Sequence, residues 1–158
     1  MKLFAVSGTN KYRFRRLEAL RQLIHDSNKF TVIAQLNRIP AQSVPFKIFP
    51  YLDRQTYATF FKTADVIISH GGYGSFLDAI KYQKPILMMP RRQDKKECLD
   101  DQLELCEYLE SEYGIISLKD PSMWQSKLED AINVGPPANV LSGALAAELK
   151  IILNSWQS

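Results

Sequence analysis

The chain has 158 residues, enough for one well-buried domain and too few for two ordinary ones. Hydrophobic residues make up 46% and charged residues 23%, which are globular proportions and exclude a disordered or fibrous chain. A net charge of +3 is too small to imply nucleic acid as a partner, and no apolar run reaches the length of a membrane span.

The start, Met1 to Val6, is too short for a signal peptide, and Leu3 to Ser7 reads as a buried strand ended by Gly8-Thr9-Asn10. Phe14, Leu17, Leu20, Leu23 and Ile24 then recur at helical spacing with charges between them. Phe30 to Leu36 is strand-like, and Phe46 to Phe49 is a shorter strand. Asp53 stands as the N-cap of a helix that runs through Phe60 and Phe61. Val66 to Ser69 is the next strand, Ser75 to Tyr82 a helix, and Ile86 to Met89 another strand. Leu99 to Leu109 is helical by its apolar spacing, and Ile115 to Leu118 looks like a last strand. Asp120-Pro121 opens a helix through Ala131, Pro136-Pro137 breaks the chain, and a final helix covers about 140–156. The Leu145, Leu149, Ile152 and Trp156 stripe of that helix suits packing on its own sheet or docking to a partner.

Strict β/α alternation with short connections predicts one α/β domain over 1–158, a single doubly wound parallel sheet of Rossmann-like kind. Ligands in such folds bind beyond the carboxyl ends of the strands, where the loops at Gly8, His70 and Pro90 fall. Cys98 and Cys106, eight positions apart on one expected helix, would be about 12 Å apart along its axis, too far for a disulfide. With two histidines, His25 and His70, no zinc constellation is available. Basic residues cluster at Lys11, Arg13, Arg15 and Arg16, and again at Arg91, Arg92, Lys95 and Lys96. Each cluster fits a solvated face, and each also fits attraction to an anionic ligand or membrane surface.

The most informative stretch is Val66-Ile67-Ile68-Ser69-His70-Gly71-Gly72-Tyr73-Gly74-Ser75, followed by Phe76-Leu77-Asp78. It sets a histidine and three glycines between a strand and a helix start. Free N–H groups and the positive end of the helix dipole converge there, which favours phosphate. Asp78 follows Ser75 by about one helical turn, so both can face one ligand, and an acid there suits the hydroxyls of a ribose. Glycines between a strand and a helix also serve as a plain tight turn, and the pattern is neither G-x-G-x-x-G nor a P-loop. A second motif follows: Lys84 to Arg91 reads as a strand ended by proline, and Asp101-Gln102 supplies a carboxylate and an amide near a helix start. They can hold vicinal hydroxyls, although an Asp there also serves as a cap.

Together these segments resemble the carboxyl-terminal, donor-binding domain of glycosyltransferase family 28, the corresponding half of a GT-B enzyme. The likeness covers about Leu3 to Leu109 and is strongest to single-domain donor subunits of two-component transferases. Those act in the dolichol pathway and in bacterial exopolysaccharide synthesis, and Val6-Ser7-Gly8-Thr9-Asn10 resembles their opening. The resemblance implies that His70, Gly72, Gly74 and Ser75 surround a diphosphate, and that Asp78 holds the ribose where relatives carry Glu. It implies that Asp101 and Gln102 meet the donor sugar, that Gly8 and Thr9 line the same crevice, and that Arg91 belongs with these ligands. Relatives often carry His-Gln in place of Asp101-Gln102.

The expected activity is transfer of a sugar from UDP-sugar, with inversion, to a lipid-linked saccharide, in exopolysaccharide or capsule synthesis. No cofactor is expected beyond the donor substrate, and no metal, because the Asp-x-Asp motif of metal-dependent transferases is absent. His70 would help stabilise the leaving group, while the general base is unassigned and expected on a separate chain. That partner would be a membrane-associated acceptor-binding subunit for a polyprenyl-linked acceptor, holding this chain at the cytoplasmic face of the membrane. Two other readings remain: a non-catalytic, nucleotide-binding regulator of a partner transferase, and an α/β enzyme such as a nucleotide-sugar epimerase.

Overall fold

The computed structural model describes residues 1–37 and 46–138. Among the described residues the elements are, in order, β1 (Lys2–Val6), α1 (Arg15–Asp26), β2 (Thr31–Gln35), β3 (Lys47–Phe49), α2 (Arg54–Thr63), β4 (Val66–His70), α3 (Tyr73–Tyr82), β5 (Ile86–Met89), α4 (Leu103–Tyr113), β6 (Ile116–Ser117) and α5 (Trp124–Val134). The strands form one parallel sheet in the order β3-β2-β1-β4-β5-β6.

Alternation along each strand divides the core into two layers. Leu3 and Ala5 of β1 face one side with Leu17, Leu20 and Ile24 of α1 and Trp124, Leu128 and Ala131 of α5. Phe4 and Val6 face the other side with Phe61 of α2, Phe76, Ala79 and Ile80 of α3, and Cys106 and Leu109 of α4. Strands buried on both faces must be apolar throughout, which is why β5 reads Ile-Leu-Met-Met with every residue buried. The chain winds outward from β1 to β3 and then returns to place β4 beside β1. That reversal opens a crevice between the loops after β1 and β4.

The expected doubly wound α/β sheet is present, and several boundaries move. Asp53 caps α2 as expected, accepting from the backbone N–H groups of Gln55 and Thr56 at 2.9 Å each. Helix α3 starts at Tyr73 rather than Ser75, so Gly74 lies inside its first turn. Helix α4 starts at Leu103, not Leu99, because the Asp101 carboxylate accepts from Leu103 N–H at 2.9 Å and ends the preceding loop there. Cys98 therefore precedes the helix that carries Cys106; both are free and buried. Asp120-Pro121 opens a short 3-10 turn, Pro121–Met123, before α5. The expected helix at 140–156 lies outside the described residues. Among the described residues, no helix is long and apolar enough to cross a membrane.

Candidate functional site

His70 ends β4 and turns its ring into the crevice, between the two loops that flank it. The ring is packed against two glycines: a Cβ on Gly8 would come within 2.6 Å of its Nε2, and one on Gly72 would clash with the same atom. Gly8 also has φ +72°, which disfavours any side chain there. Burial, and secondarily the Arg91 guanidinium, pull the His70 pKa down to about 4, against a small opposing effect of the Val6 backbone. The imidazole is thus neutral at pH 7, with a single N–H and little strength as a base, and its Nδ1 lies 3.3 Å from Ser69 Oγ.

The loop glycines are required for different reasons. Gly71 lets α4 approach, since a Cβ there would meet Cys106 Sγ at 2.6 Å. Among the described residues, no atom outside the neighbouring backbone of α3 lies within 4 Å of a Cβ position at Gly74, so the packing described does not demand a glycine there. Helix α3 is capped by Gly72, which has no side chain; the Ser75 N–H donates to the Gly72 carbonyl at 3.1 Å, and among the described residues the Tyr73 and Gly74 N–H groups are left for an anion.

Two cavities flank this loop. One, of about 370 Å³, is bounded by Gly8, Thr9, His70, Gly74, Ser75 and Asp78, together with Tyr51, Leu52, Arg54 and Tyr57. The other, of about 490 Å³, is bounded by Lys11, Tyr12, Gly72, Tyr73, Leu99, Asp101 and Gln102. In the first, Tyr57, Ser75 and Asp78 share one lining. Burial raises the Asp78 pKa, and the Tyr57 hydroxyl, Lys81 and Arg54 work against that rise. Burial also pushes the Tyr57 phenol well up, with Asp78 adding to it, so Tyr57 stays protonated. In the second, both Asp101 oxygens are occupied: one by Leu103 N–H, the other by Arg92 Nε at 3.1 Å and Gln93 N–H at 3.2 Å. Gln102 accepts from Arg91 N–H at 3.1 Å through Oε1, which leaves its NH₂ to donate.

The structure thus brings Gly8, Thr9, His70, Gly74, Ser75 and Asp78 to one cavity, and Gly72, Asp101 and Gln102 to its neighbour. Arg91 lines neither. Its side chain is fully buried, donating to the carbonyls of Ser7 at 2.7 Å, Glu97 at 2.8 Å and Tyr12 at 3.0 Å. With its guanidinium 4.5 Å from the Phe14 ring centroid, it ties the loop after β1 to the loop after β5. A second strut is the Arg16–Glu97 pair at 2.6 Å, which pins the 91–102 loop to α1. Sequence reasoning missed Tyr51, Leu52, Arg54 and Tyr57, which come from the chain after β3 and from α2. The one available signal was an aromatic, Tyr51, just before a capped helix. Among the described residues, no three His, Cys, Asp or Glu side chains are grouped as metal ligands would be.

A parallel doubly wound sheet with a glycine loop and a bare helix start at its switch point belongs to the Rossmann-like class. Residues 12–134 match the glycosyltransferase family 28 C-terminal domain, and the chain belongs to that family. It is therefore a glycosyltransferase domain with the fold of the carboxyl-terminal half of a GT-B enzyme. Among solved structures it is similar to the glycotransferase of kitacinnamycin, at 17% identity and a TM-score of 0.61, over 82% of this chain and 34% of that one. It is also similar to the glycosyltransferase SnogD from Streptomyces nogalater, at 17% identity and a TM-score of 0.43, over 96% of this chain and 43% of that one. The chain thus spans less than half the length of either. No curated protein sequence matches it significantly.

Proposed function

We propose that this domain is the donor half of an inverting glycosyltransferase. In this reading it binds a UDP-sugar and directs the sugar to a polyprenyl-linked saccharide, in exopolysaccharide or capsule synthesis. The observation that carries the proposal is the pair of cavities meeting at the His70–Gly74 loop. A diphosphate on the helix start would leave the nucleoside on the Tyr51–Asp78 side and the sugar on the Gln102 side. The acceptor oxygen would attack the anomeric carbon as the carbon–phosphate-oxygen bond breaks, and UDP would leave with the electron pair.

Fixed donors aimed at the departing phosphate would lower that barrier: the Tyr73 and Gly74 N–H groups at the start of α3 and the neutral His70 ring. The acceptor proton needs a base, and His70, with its pKa near 4, is a poor one. Asp101 is occupied by three donors. We therefore assign the base and the acceptor site to a separate, membrane-associated chain that holds this one at the cytoplasmic membrane face. Bringing donor and acceptor into one cleft can supply about 7–11 kcal/mol of barrier lowering.

The test is transfer of label from a UDP-sugar to a polyprenyl-linked acceptor by the purified chain, by partner membranes, and by the mixture. Turnover in the mixture alone is expected. Full turnover by the purified chain would overturn the two-chain assignment. Activity in partner membranes that this chain merely increases would make it a regulator.

A further inference from the structure

Behind the two cavities lies a cation without an acid of its own. The Arg91 side chain is fully buried, and the Glu97 carboxylate near it is taken by Arg16 at 2.6 Å. Among the described residues no carboxylate pairs with Arg91, and its Nε has no hydrogen-bond partner. A buried charge in that state is costly, and an anion held close by would offset the cost. The bonds that the guanidinium does make all go to backbone carbonyls, those of Ser7, Tyr12 and Glu97. The C=O and N–H of a trans peptide point opposite ways, so the Gly8 and Cys98 N–H groups are directed away from the guanidinium. Gly8 lines the 370 Å³ cavity and Cys98 the 490 Å³ one, and among the described residues neither N–H finds an acceptor.

We infer that Arg91 is a positioning residue for the diphosphate: from behind the loop after β1 it sets the Ser7–Gly8 peptide with its N–H toward the anion, and it touches no ligand itself. This rests on the proposed nucleoside diphosphate at that loop. Gly8, at φ +72° and without a side chain, has little to fix its own peptide, so the bond from Arg91 Nη2 to the Ser7 carbonyl at 2.7 Å decides how that peptide stands. A carbonyl bound to a cation also polarises its peptide and makes the N–H at the other end a stronger donor. The planar fork reaches carbonyls of both loops at once, and its stacking on Phe14 at 4.5 Å fixes the plane. The charge is felt in the crevice, where it adds to burial in lowering the His70 pKa.

The test follows backbone amide NMR signals and affinity during titration with UDP and with uridine, in the wild type and in Arg91→Lys. Lysine keeps the charge but cannot hold three carbonyls from one plane. In the wild type, UDP should move the Gly8 amide proton downfield and uridine should not. Arg91→Lys should largely lose that shift and weaken UDP binding about tenfold, with uridine binding unchanged. Equal loss for UDP and uridine would make Arg91 a purely structural strut and overturn the inference, as would no loss for either. Should Arg91→Lys fail to fold, the wild type decides: a Gly8 amide unmoved at saturating UDP overturns the role of Arg91. A folded wild-type chain that binds no UDP at all would overturn the donor-site proposal itself, and the two failures are thereby distinct.

Discussion

Gly74→Ala separates what the loop does for the fold from what it does for a ligand. Among the described residues, a Cβ at Gly74 meets no atom within 4 Å outside the neighbouring backbone of α3, and the residue sits second in α3, with φ outside the left-handed region. Alanine in a helix is more stable than glycine by about 0.5–1 kcal/mol, and near the helix start about half a kcal/mol is expected. For a domain of this size that raises the melting temperature by about 1–2 °C. The same methyl group would stand at the wall of the cavity that Gly74 lines, where in the proposed site a phosphate oxygen must come within about 2.9 Å of the Tyr73 or Gly74 nitrogen. UDP affinity should therefore fall at least about tenfold while stability rises slightly. Thermal melting followed by circular dichroism, together with UDP calorimetry on the same sample, reads both quantities. A variant that is as stable as wild type and binds UDP equally well would show that the diphosphate does not sit on this helix start.

His70 sets a pH dependence of stability. Its pKa is lowered in the fold to about 4, so its stabilising effect is fully present above the unfolded value near 6.5 and is lost as pH falls toward 4. The loss should approach ~3 kcal/mol, and denaturant titrations of His70→Gln across that window should lack it; a parallel pH profile in the variant would contradict the burial of the ring. Glu97 is 2% exposed, and Glu97→Ala leaves the Arg16 guanidinium without its carboxylate, a destabilisation of about 3 kcal/mol. Because Glu97 also accepts from Arg92 N–H, and Arg92 Nε in turn holds Asp101 of the cavity proposed for the sugar, UDP-sugar affinity should fall more than UDP affinity. Equal losses for the two ligands would mean that the loop does not shape the sugar site.

The sheet was legible because each strand announces its burial. Leu3-Phe4-Ala5-Val6 and Ile86-Leu87-Met88-Met89 are apolar on both faces, and each is ended by glycine or proline. The helix starts were less legible. Tyr73 carries no start signal, and its place in α3 follows from Gly72 acting as a cap without a side chain. At the other start, Leu99 matches the apolar spacing of α4 but is 64% exposed, held out by the turn through which Asp101 caps Leu103.

Within the site, the glycine motif carried its position in the chain, yet one of its glycines, Gly72, turns out to serve the His70 ring as much as any ligand, as does Gly8 after β1. Arg91 was expected among the ligands from the resemblance and from its basic cluster. Only the tertiary fold shows three backbone carbonyls taking its guanidinium. Tyr57 was invisible for the opposite reason: an aromatic on an amphipathic helix reads as core, and its neighbour Asp78 lies 21 positions away in sequence.

The most direct measurement is calorimetric titration of UDP into the chain in the presence of EDTA, with Gly74→Ala as the control. Metal-free binding of UDP that Gly74→Ala weakens is the expected result, because in the proposed site the Tyr73 and Gly74 N–H groups and the His70 ring would take the place of a metal held by an Asp-x-Asp motif. No binding, or binding that appears only when Mn²⁺ is added, would contradict a donor site built on the start of α3.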